Sequence, residues 1–191
     1  GLHCAGVVRE SKVGLLSANH LLTFVAILGT VRSDGIWLPV NARNAPQENA
    51  NILARGNCEF LFVHSQFAAQ LPLLRAAMPK LKGIVCIDGE LPGVPSLEAW
   101  AHRHPATPVR SGARPDDVVA IRGTGGTTGL PKGVLITHRN YAMLFANWYA
   151  AMPITERPVH LVVAPLTHAA GAVAFATCGY GGANVVLPSA D

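Results

Sequence analysis

The densest chemistry in this 191-residue sequence lies in one run, Gly123-Thr124-Gly125-Gly126-Thr127-Thr128-Gly129-Leu130-Pro131-Lys132-Gly133. Its glycines lack Cβ atoms, so several backbone N–H groups can turn toward one anion. Thr124, Thr127 and Thr128 add hydroxyl donors, Lys132 adds a mobile positive charge, and Pro131 stiffens the approach to it. Such a set suits a polyphosphate. A Walker A loop needs Gly-Lys-Ser/Thr at its end, whereas Lys132 stands between Pro131 and Gly133. The dinucleotide pattern G-x-G-x-x-G fails because Thr128 occupies the last glycine position. A flexible linker would account for the glycines, but not for a Pro-Lys-Gly ending flanked by apolar strands.

Other candidate groups read as structural. Asp116 and Asp117 invite a metal pair, but they precede the strand at its far end from the loop, so solvated carboxylates or a turn are expected. Cys4, Cys58, Cys86 and Cys178 form no CxxC pair and have no zinc-ligand spacing. They are expected to be small buried thiols in a reducing cytoplasm. Of the eight histidines only His168 sits in a suggestive setting, and the rest have no ligand spacing. His102 and His104 are expected to be exposed. No metal ligands are identified.

The elements that must position these residues alternate between apolar runs of strand length and segments of helical period, as in a mostly parallel α/β sheet. Strands are predicted at Val13–Ser17, Ile36–Val40, Phe60–Val63 and Gly83–Ile87, with helices at His20–Val31, Gln47–Ala54 and Phe67–Met78. Pro72 belongs in the first turns of the last of these. Prolines 92, 95, 105, 108 and 115 then break the pattern around a short helix at Leu97–His102. The chain therefore divides into a first α/β subdomain (1–91), a Pro-rich connector (92–115) and the start of a second subdomain (116–191). That second part has predicted strands at Val118–Ile121, Val134–Ile136, Leu161–Ala164 and Asn184–Leu187. Helices are predicted at His138–Met152, capped by Thr137, and at Ala170–Cys178. Tyr141, Leu144, Phe145, Trp148 and Met152 recur at helical spacing and are expected to pack into a core. The fold class is α/β, with layered, mostly parallel sheets flanked by helices.

Composition narrows the functions available. Half the residues are apolar and 14% are charged, a globular balance. The net charge of +4 is spread over single Lys and Arg residues, and aromatics make up only 6%, which speaks against nucleic acid as a partner. Leu161–Ala190 contains no Asp, Glu, Lys or Arg. A spanning helix needs about 20 predominantly apolar residues, and this stretch is too rich in Gly, Pro and polar residues to supply one. No segment reads as a secretory signal, so a cytoplasmic location is expected. The chain starts at Gly1 and stops at Asp191 just after a strand-like run; both ends are expected to be cuts in a longer protein.

Thr124–Val134, TGGTTGLPKGV, resembles the phosphate-binding segment of the AMP-binding, adenylate-forming enzymes, which include acyl- and aryl-CoA ligases, luciferases and peptide-synthetase adenylation domains. That family usually has Ser or Thr where Gly125 stands and often Tyr where Gly123 stands. The departure removes a hydroxyl and leaves more of the grip to backbone N–H groups. Three further stretches are similar to the same family. They are Asp116–Ala120 before the loop; Leu28-Gly29, Gly35–Asn41 and Pro46-Gln47-Glu48 upstream; and Ala164-Pro165-Leu166-Thr167-His168-Ala169-Ala170-Gly171 downstream, like the family's Pro-Leu-x-His-x-x-Gly.

The resemblance implies an incomplete N-terminal domain of an adenylate-forming ligase, with ATP, Mg2+ and coenzyme A as cofactors. Thr124, Gly125, Gly126, Thr127, Thr128 and Gly129 would hold the β- and γ-phosphates of ATP. Lys132 would neutralise charge on the same group, with Thr128 beside it as the second catalytic candidate. His168 would border the acid's pocket as a positioning group, since a carboxylate is already ionised at pH 7 and needs no base. Ala170, among small neighbours, hints at an open pocket wall. The magnesium ligand, the ribose-binding Asp and the C-terminal catalytic Lys would lie beyond Asp191, leaving these residues inert alone. Two alternatives stay open. One is adenylation for a carrier-protein thiol, as in peptide-synthetase or fatty-acyl-AMP ligases, and the other is a non-catalytic nucleotide-binding module.

Overall fold

The structure is a computed structural model that describes residues 1–123 and 132–188. In chain order its elements are β1 (Lys12–Leu16), α1 (Leu21–Arg32), β2 (Ile36–Val40), α2 (Pro46–Arg55), β3 (Cys58–Val63), a 3-10 segment (Ser65–Gln70), α3 (Leu71–Ala77), β4 (Gly83–Cys86) and α4 (Leu97–His102). After the Pro-rich stretch come β5 (Val118–Gly123), β6 (Gly133–Thr137), α5 (His138–Ala151), β7 (Val159–Val162), α6 (Ala169–Gly179) and β8 (Ala183–Val186).

Six strands form one sheet in the order β4-β3-β1-β2-β5-β6, parallel throughout except that β6 runs antiparallel to β5. The central strands read as continuous apolar runs because both faces are covered. On one face Val13, Leu15, Trp37, Phe60 and Phe62 pack against Ala26 and Ile27 of α1. On the other, Leu16, Leu38, Val40 and Leu61 meet Ala50 and Leu53 of α2 and Leu74 of α3. A second, two-stranded parallel sheet pairs β7 with β8. A third core of Phe24 from α1 with Val162, Leu166, Ala170 and Ala174 joins it to the first sheet. No helix among the described residues is long and apolar enough to cross a membrane.

Most element boundaries fall within two residues of expectation, and the exceptions have physical reasons. The expected helix Phe67–Met78 is split into the 3-10 segment and α3, with Pro72 in the first turn of α3, where its missing N–H leaves no bond unmade. The six-stranded sheet runs across the Pro-rich segment, since β5 lies beside β2, with Ala120 opposite Trp37. The aromatic stripe of α5 is only partly core: Tyr141 packs against the first core, but none of its residues is fully buried, and Leu144 and Met152 are 44% and 46% exposed. Only Cys58 and Cys86 are buried, while Cys4 and Cys178 are exposed. Burial pushes the Cys58 thiol up to about 12, so it remains protonated at neutral pH. His102 is exposed as expected, whereas His104 is half-buried with its ring edge-on to Trp100.

Candidate functional site

The carboxyl edge of the large sheet gathers the polar residues. Parallel α/β sheets bind ligands outside the carboxyl ends of their strands, because helix N-termini and loops converge there. Here β1 runs into Ser17, Asn19 and His20, β3 into His64 and Ser65, and β4 toward Asp88. β5 runs into the Gly/Thr stretch.

That stretch is carried by a hairpin. β5 and β6 pair antiparallel with Gly123 opposite Gly133 and Ile121 opposite Leu135, so the strands on either side of segment 124–131 lie against each other. Residues 124–131, hence Thr124, Gly125, Gly126, Thr127, Thr128 and Gly129, lie outside the described residues. Lys132 is described, exposed, at the foot of the returning strand. It lines a cleft of about 460 Å³ together with Lys12, Leu38, Glu48, Arg55 and Ile121. The hairpin is braced from below: Arg122 lies 5.3 Å over the Trp37 ring and donates from Nη2 to the Tyr141 hydroxyl at 3.0 Å. A cation over an indole face contributes about 0.5–2 kcal/mol depending on its exposure. This brace ties β5 to β2 and to α5, and no sequence motif announced it.

His168 is exposed and stands at the N-cap position of α6, with φ −120 and ψ −145. Its side chain does not cap the helix; its Nδ1 lies 3.1 Å from Thr167 Oγ1. Its backbone N–H donates to Pro165 O at 2.9 Å, which closes a tight turn before the helix. Ala170 parts company with it. That methyl is 7% exposed and packs with Phe24, Val162 and Leu166, so it belongs to the third core rather than to an open wall. Gly171 is small for a similar reason, since a Cβ there would meet Leu166 O at 2.2 Å. The same Cβ would lie 3.7 Å from the Trp37 ring. The first turn of α6 thus lies near the Trp37 ring that Arg122 covers.

Asp116 and Asp117 make ion pairs at the opposite end of β5. Arg139 donates to both Asp116 oxygens, at 2.7 and 3.0 Å, and Asp117 pairs with Arg9 while accepting from the Arg114 N–H at 2.6 Å. Among the described residues no group of three or more His, Cys, Asp or Glu is placed to hold a metal ion.

Two features of the carboxyl edge escaped sequence reading. Asn19, 7% exposed, reaches across to the segment after β7. His64 and Asp88 form the other. The Asp88 carboxylate accepts from the Ser65 N–H at 2.7 Å and from its hydroxyl at 2.5 Å, and lies 3.4 Å from His64 Nε2. Burial pushes the Asp88 carboxyl up, but the Ser65 donors and His64 more than offset it and hold it below its ordinary value. A turn-forming Asn and scattered His and Ser residues carry no long-range signal in a sequence.

Comparison with known proteins agrees with this geometry. A family model described as AMP-binding enzyme matches residues 1–191. Crotonobetaine/carnitine–CoA ligase of Salmonella paratyphi A is 32% identical over 173 residues, covering 87% of this chain and 33% of that protein. Fatty acid–[acyl-carrier-protein] ligase ScoC of Streptomyces coeruleorubidus is 33% identical over 141 residues, covering 73% of this chain and 26% of that protein. Among solved structures, the anthranilate CoA ligase AuaEII in complex with anthranoyl-AMP superimposes with a TM-score of 0.90 at 25% identity, over 99% of this chain and 37% of that one. The chain spans about a third of the length of the ligases it matches.

Proposed function

The chain belongs to the AMP-binding enzyme family, and from that premise we propose that it is the phosphate-gripping part of a longer ligase that activates a fatty or aryl carboxylic acid with ATP and passes the acyl group to coenzyme A. In the first half-reaction a carboxylate oxygen bonds to the α-phosphorus while the bond to the β-phosphate bridging oxygen breaks, giving acyl-adenylate and pyrophosphate. In the second, the thiol sulfur bonds to the acyl carbon and AMP leaves. Catalysis of the first step rests on positioning and charge neutralisation. The observation that carries this reading is the β5–β6 hairpin, which places Lys132 beside the end of β5 at the sheet's carboxyl edge.

In this proposal Thr124, Gly125, Gly126, Thr127, Thr128 and Gly129 hold the β- and γ-phosphates, and Lys132 offsets charge on the departing pyrophosphate. His168 borders the acid. The magnesium ligand is a carboxylate outside this chain. We place the reaction in the cytoplasm, which suits the buried reduced thiols of Cys58 and Cys86. The proposed extra length is supported by the distribution of exposed apolar surface. Of fifteen exposed large apolar side chains among the described residues, eleven lie between Val134 and Leu187, where the rest of the ligase domain would cover them.

The longer protein should exchange pyrophosphate into ATP only when a carboxylic acid is present. Lys132→Ala should slow this exchange by roughly 10²-fold or more, the scale of losing one charge-stabilising donor; an unchanged rate would remove Lys132 from the site. The 191-residue chain alone should show no exchange, and turnover by it would overturn the claim that it is a part. The similarity to ScoC favours a second reading, in which the acceptor thiol is on an acyl carrier protein. Supplying coenzyme A or carrier protein to the preformed adenylate separates the two.

A further inference from the structure

The segment that leads from β7 to His168 is held by a side chain more than 140 residues away. Asn19 Nδ2 donates to Val163 O at 3.2 Å and to Ala164 O at 3.1 Å, and Asn19 Oδ1 accepts from the Leu166 N–H at 2.9 Å. The amide therefore uses both of its donor hydrogens and its oxygen on three backbone groups of one short stretch. Pro165 lies within that stretch and has no N–H to give. Asn19 stands in for the neighbouring strand these groups would otherwise require.

Asn19 is itself fixed. It leaves the carboxyl end of β1, the middle of the large sheet. Ser17 Oγ, before it, lies 2.7 Å from Thr23 Oγ1 and donates to Ala18 O at 2.7 Å. After it, His20 Nδ1 accepts from the Leu22 N–H at 3.2 Å and starts α1. At the other end of the clamp Leu166 is fully buried, and His168 follows two residues later. The path from the large sheet to His168 is thus a pinned turn, a planar amide and a buried leucine.

We propose that Asn19 is the positioning residue that sets His168 against the carboxyl edge of the large sheet, and hence positions the bound carboxylic acid. The consequence for the acid rests on the reading of His168 given above; the clamp does not. Only an amide of this length fits. Aspartate keeps the acceptor for Leu166 but turns a carboxylate oxygen toward two carbonyls. Alanine removes all three bonds and leaves the buried Leu166 N–H without its acceptor.

Two measurements test the proposal. In the 191-residue chain, Asn19→Ala should speed amide exchange in the 163–168 peptide by about tenfold, in line with losing a buried hydrogen bond. Exchange in β3 should stay unchanged. In the longer ligase, Asn19→Ala should raise the KM for the carboxylic acid by about tenfold and leave the KM for ATP unmoved. Asn19→Asp, which keeps the side-chain volume, should give the same split more weakly and remains informative if the alanine variant does not fold. Wild-type exchange in the 163–168 peptide overturns the clamp. Faster exchange with an unmoved acid KM overturns the link from Asn19 to the acid, while an acid KM that stays unmoved in His168→Ala as well overturns the role of His168 itself. Equal changes in both KM values reduce Asn19 to general stability and overturn the proposal.

Discussion

At Gly171 two effects of adding one methyl group oppose each other, and their magnitudes decide the outcome. Alanine in a helix interior is favoured over glycine by about 1 kcal/mol, and by less in a first turn where Gly171 sits. Against this, its Cβ would fall 2.2 Å from Leu166 O, a backbone atom whose residue is buried in the third core and bonded to Asn19. Overpacking of this kind costs about 1–3 kcal/mol, so the clash wins. Gly171→Ala should lower the urea midpoint by a net destabilisation of about 1–2 kcal/mol, and an unchanged midpoint would mean that the α6 turn gives way freely. The same position shows what a sequence conceals. A run of small residues after His168 is equally compatible with an open pocket wall and with close backbone packing, and the difference lies in a carbonyl five residues earlier. His168 was singled out because its neighbours form a pattern, whereas Asn19 was not, because its partners are far along the chain.

The start of α5 was legible, since capping is local chemistry. Thr137 caps α5 as expected and goes further. Its hydroxyl accepts from the Asn140 backbone N–H at 3.2 Å, while the Asn140 side-chain Oδ1 accepts from the Thr137 N–H at 2.9 Å, a reciprocal box with Asn in the place of Glu or Gln. Because α5 buries no residue fully, its stability leans on this cap. Thr137→Ala should cost about 1 kcal/mol, read as faster amide exchange in the first turn of α5. The caps at His20 and His64 were not anticipated, histidine being an unusual cap. His64 Nδ1 accepts from the Gln66 N–H at 3.3 Å, which requires the neutral ring. Burial pushes its pKa below the ordinary 6.5, Asp88 pulls it back up and His20 lowers it further. The unfolded chain therefore binds the proton first as pH falls. The stabilisation is fully present above about pH 6.5 and is lost as pH drops through the folded value. Melting temperature should decline on that acid side, and His64→Asn, a capping residue that does not titrate, should remove this part of the decline. An identical pH profile in the variant would show that His64 titrates alike in both states.

Across the whole molecule, the large sheet was readable because its central strands are buried on both faces, so β1, β2 and β3 appear as apolar runs regardless of what covers them. The surroundings of α5 were not readable. Its aromatic stripe at helical spacing predicts a buried face, yet Tyr141, Phe145 and Trp148 are only half-buried, with Tyr141 and Phe145 touching Phe175 of α6 on one side. Periodicity reveals that a face is meant to be covered and says nothing of which element covers it. Leu135 on β6, Leu144 on α5 and Leu161 on β7 are 60%, 44% and 54% exposed, and the proposal assigns their cover to the remainder of the ligase domain. That assignment predicts opposite signs in two settings. In the 191-residue chain, replacing these leucines by lysine changes solvated surface, where single substitutions usually stay within about 0.5 kcal/mol. Stability should hold while binding of an apolar dye falls and solubility rises. In the longer protein the same lysines would be driven into a core without partners, which costs several kcal/mol, so each should destabilise or abolish folding. Equal tolerance in both settings would leave this face uncovered in the parent and would turn the unburied stripe of α5 into a surface for a separate partner.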